Sequence, residues 1–371
     1  MIKTFLMKPK FYVVVALLMG VFTSNAQDIH FSQYYASPLT LNPALTGKFD
    51  GLYRITGIYR GQYYGMTQSA STFRTPSVSV DFSLLKEKMK GNALGVGLAV
   101  THDGQTSTGG NINTTSVALA LGYTLNLGKK KATQLSVGLT PSYTFKSNNG
   151  AYEYPDAFNQ ADLSYRTGTP EDEKITSPKV NYFNLSFGLF FNTNPIKWLT
   201  FYAGYAMLNV VRPNVAVITK GTPDGSIPFR HVVRGGFEFD LTKKWTLIPG
   251  FLYQNMAKAN EANFGVTVGY NIIDKEVDGK RERATVFLGL WNRLGDDVNG
   301  AFAYRNITPK IGGEYKNFRI GFAYDVDVSG FASDTKAAGV SRPQAYELSL
   351  SYMGFGSKPP KENKWLFNPR Y

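Results

Sequence analysis

Three histidines, an aspartate-rich run, a glycine pair and the absence of cysteine bound the chemistry open to this chain. His102 and Asp103 are adjacent, so within a strand they face opposite sides and cannot act as a base and its orienting carboxylate. His231 falls on the apolar parity near a strand end. His30 stands in a segment without alternation, where a structural hydrogen bond is the simpler role. Asp325-Val326-Asp327-Val328-Ser329-Gly330 imitates the first half of a calcium loop, but its twelfth position is Lys336 instead of Glu, and the run overlaps a strand. Gly95-Val96-Gly97 has alternating apolar neighbours and no following helix, so it is not a phosphate loop. With no Cys there is no disulfide framework, no thiolate metal site and no lipid-attachment cysteine. The residues point to a non-enzymatic protein without cofactor or metal.

The remaining ionisable residues gain meaning from the elements that carry them. From about residue 52 to 353 the chain repeats runs of about ten residues with large apolar side chains at every second position. Leu94, Val96, Leu98 and Val100 alternate with Gly95, Gly97 and Ala99, and Phe183, Leu185, Phe187, Leu189 and Phe191 behave alike. Strand side chains change face with period two, and a sheet in lipid must close because its edge amides find no water there. The expected fold is all-β: a transmembrane antiparallel β-barrel of about fourteen strands. Strand starts fall near residues 52, 72, 93, 113, 132, 181, 198, 229, 244, 261, 283, 299, 318 and 343. An even count returns both ends of the barrel to one side.

On the face opposite the apolar one lie Arg54, Arg60, Asp81, Arg230, Arg234, Glu238, Arg319, Asp325, Asp327 and Glu347. A charge facing mid-bilayer costs about 2–4 kcal/mol, so these should point into the lumen. Two roles fit them: pairing among themselves, or contacting something held inside. About eight strands already give an interior that side chains can fill, so about fourteen leave space that must be plugged or conduct. Inner positions such as Gly95, Gly97, Ala118, Ala120 and Gly122 leave room for a polypeptide against the wall.

The connections sort into two kinds. Short, often basic ones (86–91, 128–131, 192–197, 243–244, 274–283, 316–317) alternate with a set containing the long ones (146–179, 210–227, 329–342). Outer-membrane barrels have short periplasmic turns and long external loops, which sets the basic turns and both termini on the periplasmic side. The formal charge is +13, and 13 − 3 = +10 once the three lysines before residue 26 are set aside. Those positive residues sit on scattered turn tips without interleaved stacking aromatics, which argues against nucleic acid and for periplasmic proteins or lipid headgroups. Residues 1–26, with lysines, a twelve-residue apolar core from 11 to 22 and Ser24-Asn25-Ala26, read as a secretory signal. The expected division is 1–26 signal, 27–51 plug, 52–353 barrel and 354–371 periplasmic tail.

Residues 27–51 do not alternate and contain two prolines, which excludes a strand. The segment holds Asp28, His30, Phe31, Ser32, Gln33, Tyr34, Pro38, Leu39, Asn42, Pro43 and Gly47 in a pattern that resembles the opening of the PorP/SprF family of type IX secretion membrane proteins. The closing Pro369-Arg370-Tyr371 also resembles that family's end, although Asn368 stands where a Cys is common. The resemblance implies an outer-membrane barrel of Bacteroidetes that serves export or surface attachment of proteins with a C-terminal signal. Adhesins of gliding motility are included among these, with periplasmic secretion or gliding components as neighbours. His30, Phe31, Ser32, Gln33, Tyr34, Pro38, Asn42, Pro43 and Gly47 are the expected plug motif. The inward Arg54, Arg60, Arg230, Arg234, Glu238, Arg319 and Glu347 are the candidate lumen contacts. The other reading is an outer-membrane diffusion channel or hydrophobic-solute transporter.

Overall fold

Alternation of large and small residues produces one closed sheet. The computed structural model describes residues 30–355 apart from 64–71, 86–88, 90–91, 108–109, 128–132, 151–157, 160–163, 166–178, 216–224, 278–279, 297–300, 331 and 334–343. Residues 1–26, expected to be a signal, and Pro369, Arg370 and Tyr371 therefore lie outside the described residues, as do Lys336 and most of the 146–179 connection.

Fourteen antiparallel strands follow one another round the barrel in chain order, and the first pairs with the last. They are β1 (Tyr53–Gln62), β2 (Thr72–Leu84), β3 (Ala93–Ser107), β4 (Gly110–Leu127), β5 (Thr133–Gly150), β6 (Lys179–Ile196) and β7 (Leu199–Leu208). The circle is completed by β8 (Arg230–Asp240), β9 (Trp245–Met256), β10 (Ala259–Val277), β11 (Lys280–Asp296), β12 (Phe302–Tyr315), β13 (Phe318–Asp327) and β14 (Gln344–Gly354). Phe158–Asn159 and Ser164–Tyr165 form a separate two-stranded piece. Every barrel strand begins within three residues of its expected start.

Two expected turns are mostly strand: residues 192–196 belong to β6, and most of 274–283 is paired. Residues 274–277 and 280–283 continue the β10–β11 hairpin, with Asp274 opposite Arg283, Lys275 opposite Glu282 and Glu276 opposite Arg281. Loss of apolar alternation marks the edge of the lipid zone, not the end of pairing.

The outer face carries exposed Leu119, Leu288, Leu290, Ile320, Phe322, Leu348 and Leu350. An apolar belt of this extent is stable against hydrocarbon, not against water. At the rim where β1 begins, aromatic pairs ring the barrel: Trp198 with Phe239, Trp245 with Tyr270 at 4.6 Å, and Phe318 with Tyr352 at 4.9 Å. Amphipathic rings favour that interface.

Candidate functional site: the occupied bore

The inner face is filled by the chain's own N-terminal segment. Its local form follows from its prolines and caps. Pro38 opens the short helical turn Pro38–Leu41, and Pro43 opens the 3-10 turn Pro43–Leu45. A proline at the first helical position loses no hydrogen bond. Asn42, held extended before Pro43, caps that second turn by accepting the Ala44 N–H at 2.9 Å. Gly47 has φ +69°, and a Cβ there would lie 2.5 Å from the Gly95 backbone, so both conformation and space demand glycine.

The segment runs lengthwise through the barrel. His30 lines a cavity with Tyr63, Asp296 and Gln344 at the mouth where β1 ends, whereas Gly47 lies beside Phe82 and Gly95 near the rim where β1 begins. Tyr53 and Gly354 do share one rim. His30 thus lies at the rim opposite Tyr53, and the segment crosses the bore before it enters β1.

Three sets of contacts hold it. In the first, the Glu347 carboxylate accepts the backbone N–H groups of Ser32 and Gln33, each at 2.6 Å. Ser32 Oγ donates to Asp325 at 2.8 Å and accepts from Arg60 at 3.0 Å and Arg293 at 2.6 Å. Lys310 Nζ donates to the Ser32 carbonyl at 2.6 Å. Arg60 also pairs with Glu347 and, at 2.9 Å, with Asp325. Gln33 donates to the Glu347 carbonyl at 3.1 Å and accepts from Ser349 Oγ at 2.8 Å. Arg60, Arg293 and Lys310 balance Asp325, Glu347 and nearby Glu261, so the cluster is formally neutral. Buried charges persist when they are paired and hydrogen-bonded in this way.

In the second, Arg54 forms a two-pronged bond to Asp81 at 2.9 and 2.7 Å, and Asp81 accepts the Gly47 N–H at 2.8 Å. Arg54 also donates to the Leu45 carbonyl at 3.3 Å and lies 4.8 Å from the Phe49 ring centre. Lys48, fully buried, donates to Gln134 at 3.0 Å and Ser136 at 3.1 Å.

The third is steric and aromatic. A Cβ on Gly95 would meet the Thr46 carbonyl oxygen at 2.0 Å, one on Gly138 the Pro43 carbonyl carbon at 2.2 Å, and one on Gly188 Asn42 Oδ1 at 2.0 Å. The bare wall positions are where the segment's backbone lies closest. Asn42 Nδ2 donates to the wall carbonyls of Leu189 and Tyr205 at 3.0 and 3.2 Å. Tyr34 meets Trp291 edge-on at 5.7 Å, and the Arg234 guanidinium lies 5.2, 5.3 and 5.8 Å from the rings of Tyr34, Tyr202 and Phe190. Phe31 is buried in the same apolar cluster.

At the upper end His30 Nε2 lies 3.4 Å from Glu261. Glu261 raises the imidazole pKa, but burial and the Arg293, Arg60 and Arg230 guanidiniums outweigh it, leaving the group at about 4. His30 is thus neutral at pH 7.

All nine expected motif residues are brought together in the bore, with Arg54, Arg60, Arg234 and Glu347 against them. Arg230 joins His30 around the upper cavity and bonds Gln254. Arg319 pairs with Glu314 across the β12–β13 hairpin and stands outside the Ser32 cluster, and Glu238 is half-buried on β8. Sequence reasoning missed Arg293, Lys310, Glu261, Lys48, Tyr202, Phe190 and Trp291. Arg293 and Lys310 carried the signal that flagged Arg60, a charge on the inward parity of an alternating strand. The aspartate-rich run is accounted for structurally: Asp325 accepts from Ser32 and Thr308 and pairs with Arg60 and Arg293. His102 bonds Thr115 at 2.8 Å while Asp103 accepts from Thr75 at 2.6 Å, so the two do not act together.

Fold and bore together define a plugged barrel of the outer-membrane type. A family model described as the type IX secretion system membrane protein PorP/SprF matches residues 23–352, and the chain belongs to that family. No curated protein matches it. Among solved structures it is similar to the Ralstonia pickettii toluene transporter TbuX, with TM-score 0.51 and 11% identity over 86% of this chain and 94% of that one. A Pseudomonas aeruginosa FadL homologue gives 0.49 and 13% over 84% and 92%, and the P. putida toluene transporter TodX gives 0.46 and 14% over 85% and 93%. These likenesses are of fold alone.

Proposed function

We propose that this chain is a non-enzymatic outer-membrane component of the type IX secretion machinery, needed for export or surface attachment of proteins that carry a C-terminal signal, gliding adhesins among them. Membership of the PorP/SprF family is the observation that carries the reading. The occupied bore supports it: a lumen crossed by a segment held through Glu347, Asp325 and Asp81 has a wall that accepts a polypeptide backbone. In this reading the basic turns and residues 354–371 face periplasmic partners of the apparatus, and the long connections face outward.

Deleting the gene should remove particular proteins from the cell surface while leaving uptake of small solutes intact. Unchanged surface display would contradict the proposal.

The alternative, a hydrophobic-solute transporter, draws on the fold shared with TbuX, which at 11% identity does not extend to the cargo. The spaces left beside the plug are lined by ions at one place and by hydroxyls mixed with apolar side chains such as Leu208, Ile227 and Met256 at another.

A further inference from the structure

The wall that seats the plug continues beyond it on the same four strands. At inward parity, Gly95 and Gly97 on β3 give way to Ala99 and Thr101, and Gly122 and Ala120 on β4 to Ala118, Ser116 and Thr114. Gly138 on β5 gives way to Thr140, Ser142 and Thr144, and Gly188 on β6 to Ser186 and Asn184. The hydroxyl- and amide-bearing ones among these line one side of a cavity of about 260 Å³, with Leu39 and Thr40 of the plug as floor and the apolar Leu208, Val215, Ile227 and Met256 completing the lining. That is slightly below the roughly 300–1,000 Å³ of sites for drug-sized ligands, so only a short piece of any chain fits.

The lining offers hydrogen bonds that nothing among the described residues takes up. Thr140 is 5% exposed, and its Oγ1 is buried without a partner. The hydroxyls of Thr114, Ser142 and Ser186 are likewise unbonded among the described residues, and Lys146 at the cavity edge makes no ion pair there. Thr140 Oγ1 carries the cost of a buried polar group without a partner, about 1–3 kcal/mol, while the half-exposed hydroxyls of Thr114, Ser142 and Ser186 are the ones that amide groups of an occupant can reach.

We propose that this cavity receives a short extended segment of an exported polypeptide, one rich in small and hydroxyl- or amide-bearing residues and carrying a carboxylate for Lys146. It lies along β4, β5 and β6 on top of Leu39 and Thr40. A polypeptide is favoured over a sugar because one layer below, the same strands already accept a backbone through their smallest residues. The inference rests on the export reading.

The chain has no cysteine, so a single-cysteine Ser142→Cys variant can be cross-linked in living cells with a maleimide–diazirine reagent. Surface proteins lost on deleting the gene define the candidates. The expected result is a cross-link to one of them, weakened at least about tenfold when Ser186→Phe fills the cavity at equal barrel levels. Thr140→Val, which removes the hydroxyl at equal volume, should weaken it several-fold without altering heat-modifiable gel mobility. A cross-link only within the chain, to a glycan, or to nothing overturns the inference, as does full surface display with Ser186→Phe. Those results leave the export reading standing. If gene deletion changes no surface protein, the export reading and this inference fall together.

Discussion

Ser32 is tied down by groups from opposite ends of the sequence because closure of the barrel sets β14 beside β1 and brings β11, β12 and β13 round to face them. Glu347 holds two successive backbone N–H groups, so its loss strands both amides and leaves the Arg60 guanidinium short of one partner. Glu347→Ala should weaken seating of residues 30–36 by about 3–5 kcal/mol, read as faster amide exchange at Ser32 and Gln33. Unchanged exchange would show that the carboxylate does not hold the plug. His30 gives a pH dependence of definite sign. Its pKa falls from 6.5 to about 4 on burial, so the unfolded segment binds the extra proton between those values. The contribution of His30 to plug seating is then full above pH 6.5 and declines as pH falls towards 4, and His30→Asn should flatten that part of the exchange profile. At this scale the sequence revealed Arg60 and Glu347 through parity. It hid their meeting with Ser32, because parity assigns a face and not a neighbour.

The plug is an element without regular structure whose order comes from its surroundings. Two prolines and the lack of alternation made 27–51 legible as something other than a strand, and the bare Gly95, Gly97 and Gly122 marked a wall with room beside it. Its course down the bore from His30 to Gly47 was not legible, because the anchoring contacts join residues more than 250 positions apart. Asn42→Ala removes a cap and two bonds to wall carbonyls, and the cap alone is worth about 0.5–2 kcal/mol. It should raise leak conductance while leaving barrel mobility on gels unchanged. Gly138→Val should act more strongly, since the Cβ alone would sit 2.2 Å from the Pro43 carbonyl carbon. Loss of gel mobility together with tightness in both variants would show that plug and wall fold as one unit.

Over the whole molecule, alternation determined the strand count and the register of faces, and it failed at strand ends, where β6 runs on through residues 192–196 and the β10–β11 hairpin continues through charged residues. Membership in the type IX secretion family assigns the machinery, while the bore assigns the state in which this barrel is found. The central physical claim is that the chain's own N-terminal segment closes the lumen. Planar-bilayer conductance of the purified chain tests it most directly, in parallel with a variant lacking residues 31–46. The intact protein should be electrically silent and the shortened one should open stable channels. A steady open-channel current from the intact protein would contradict the account.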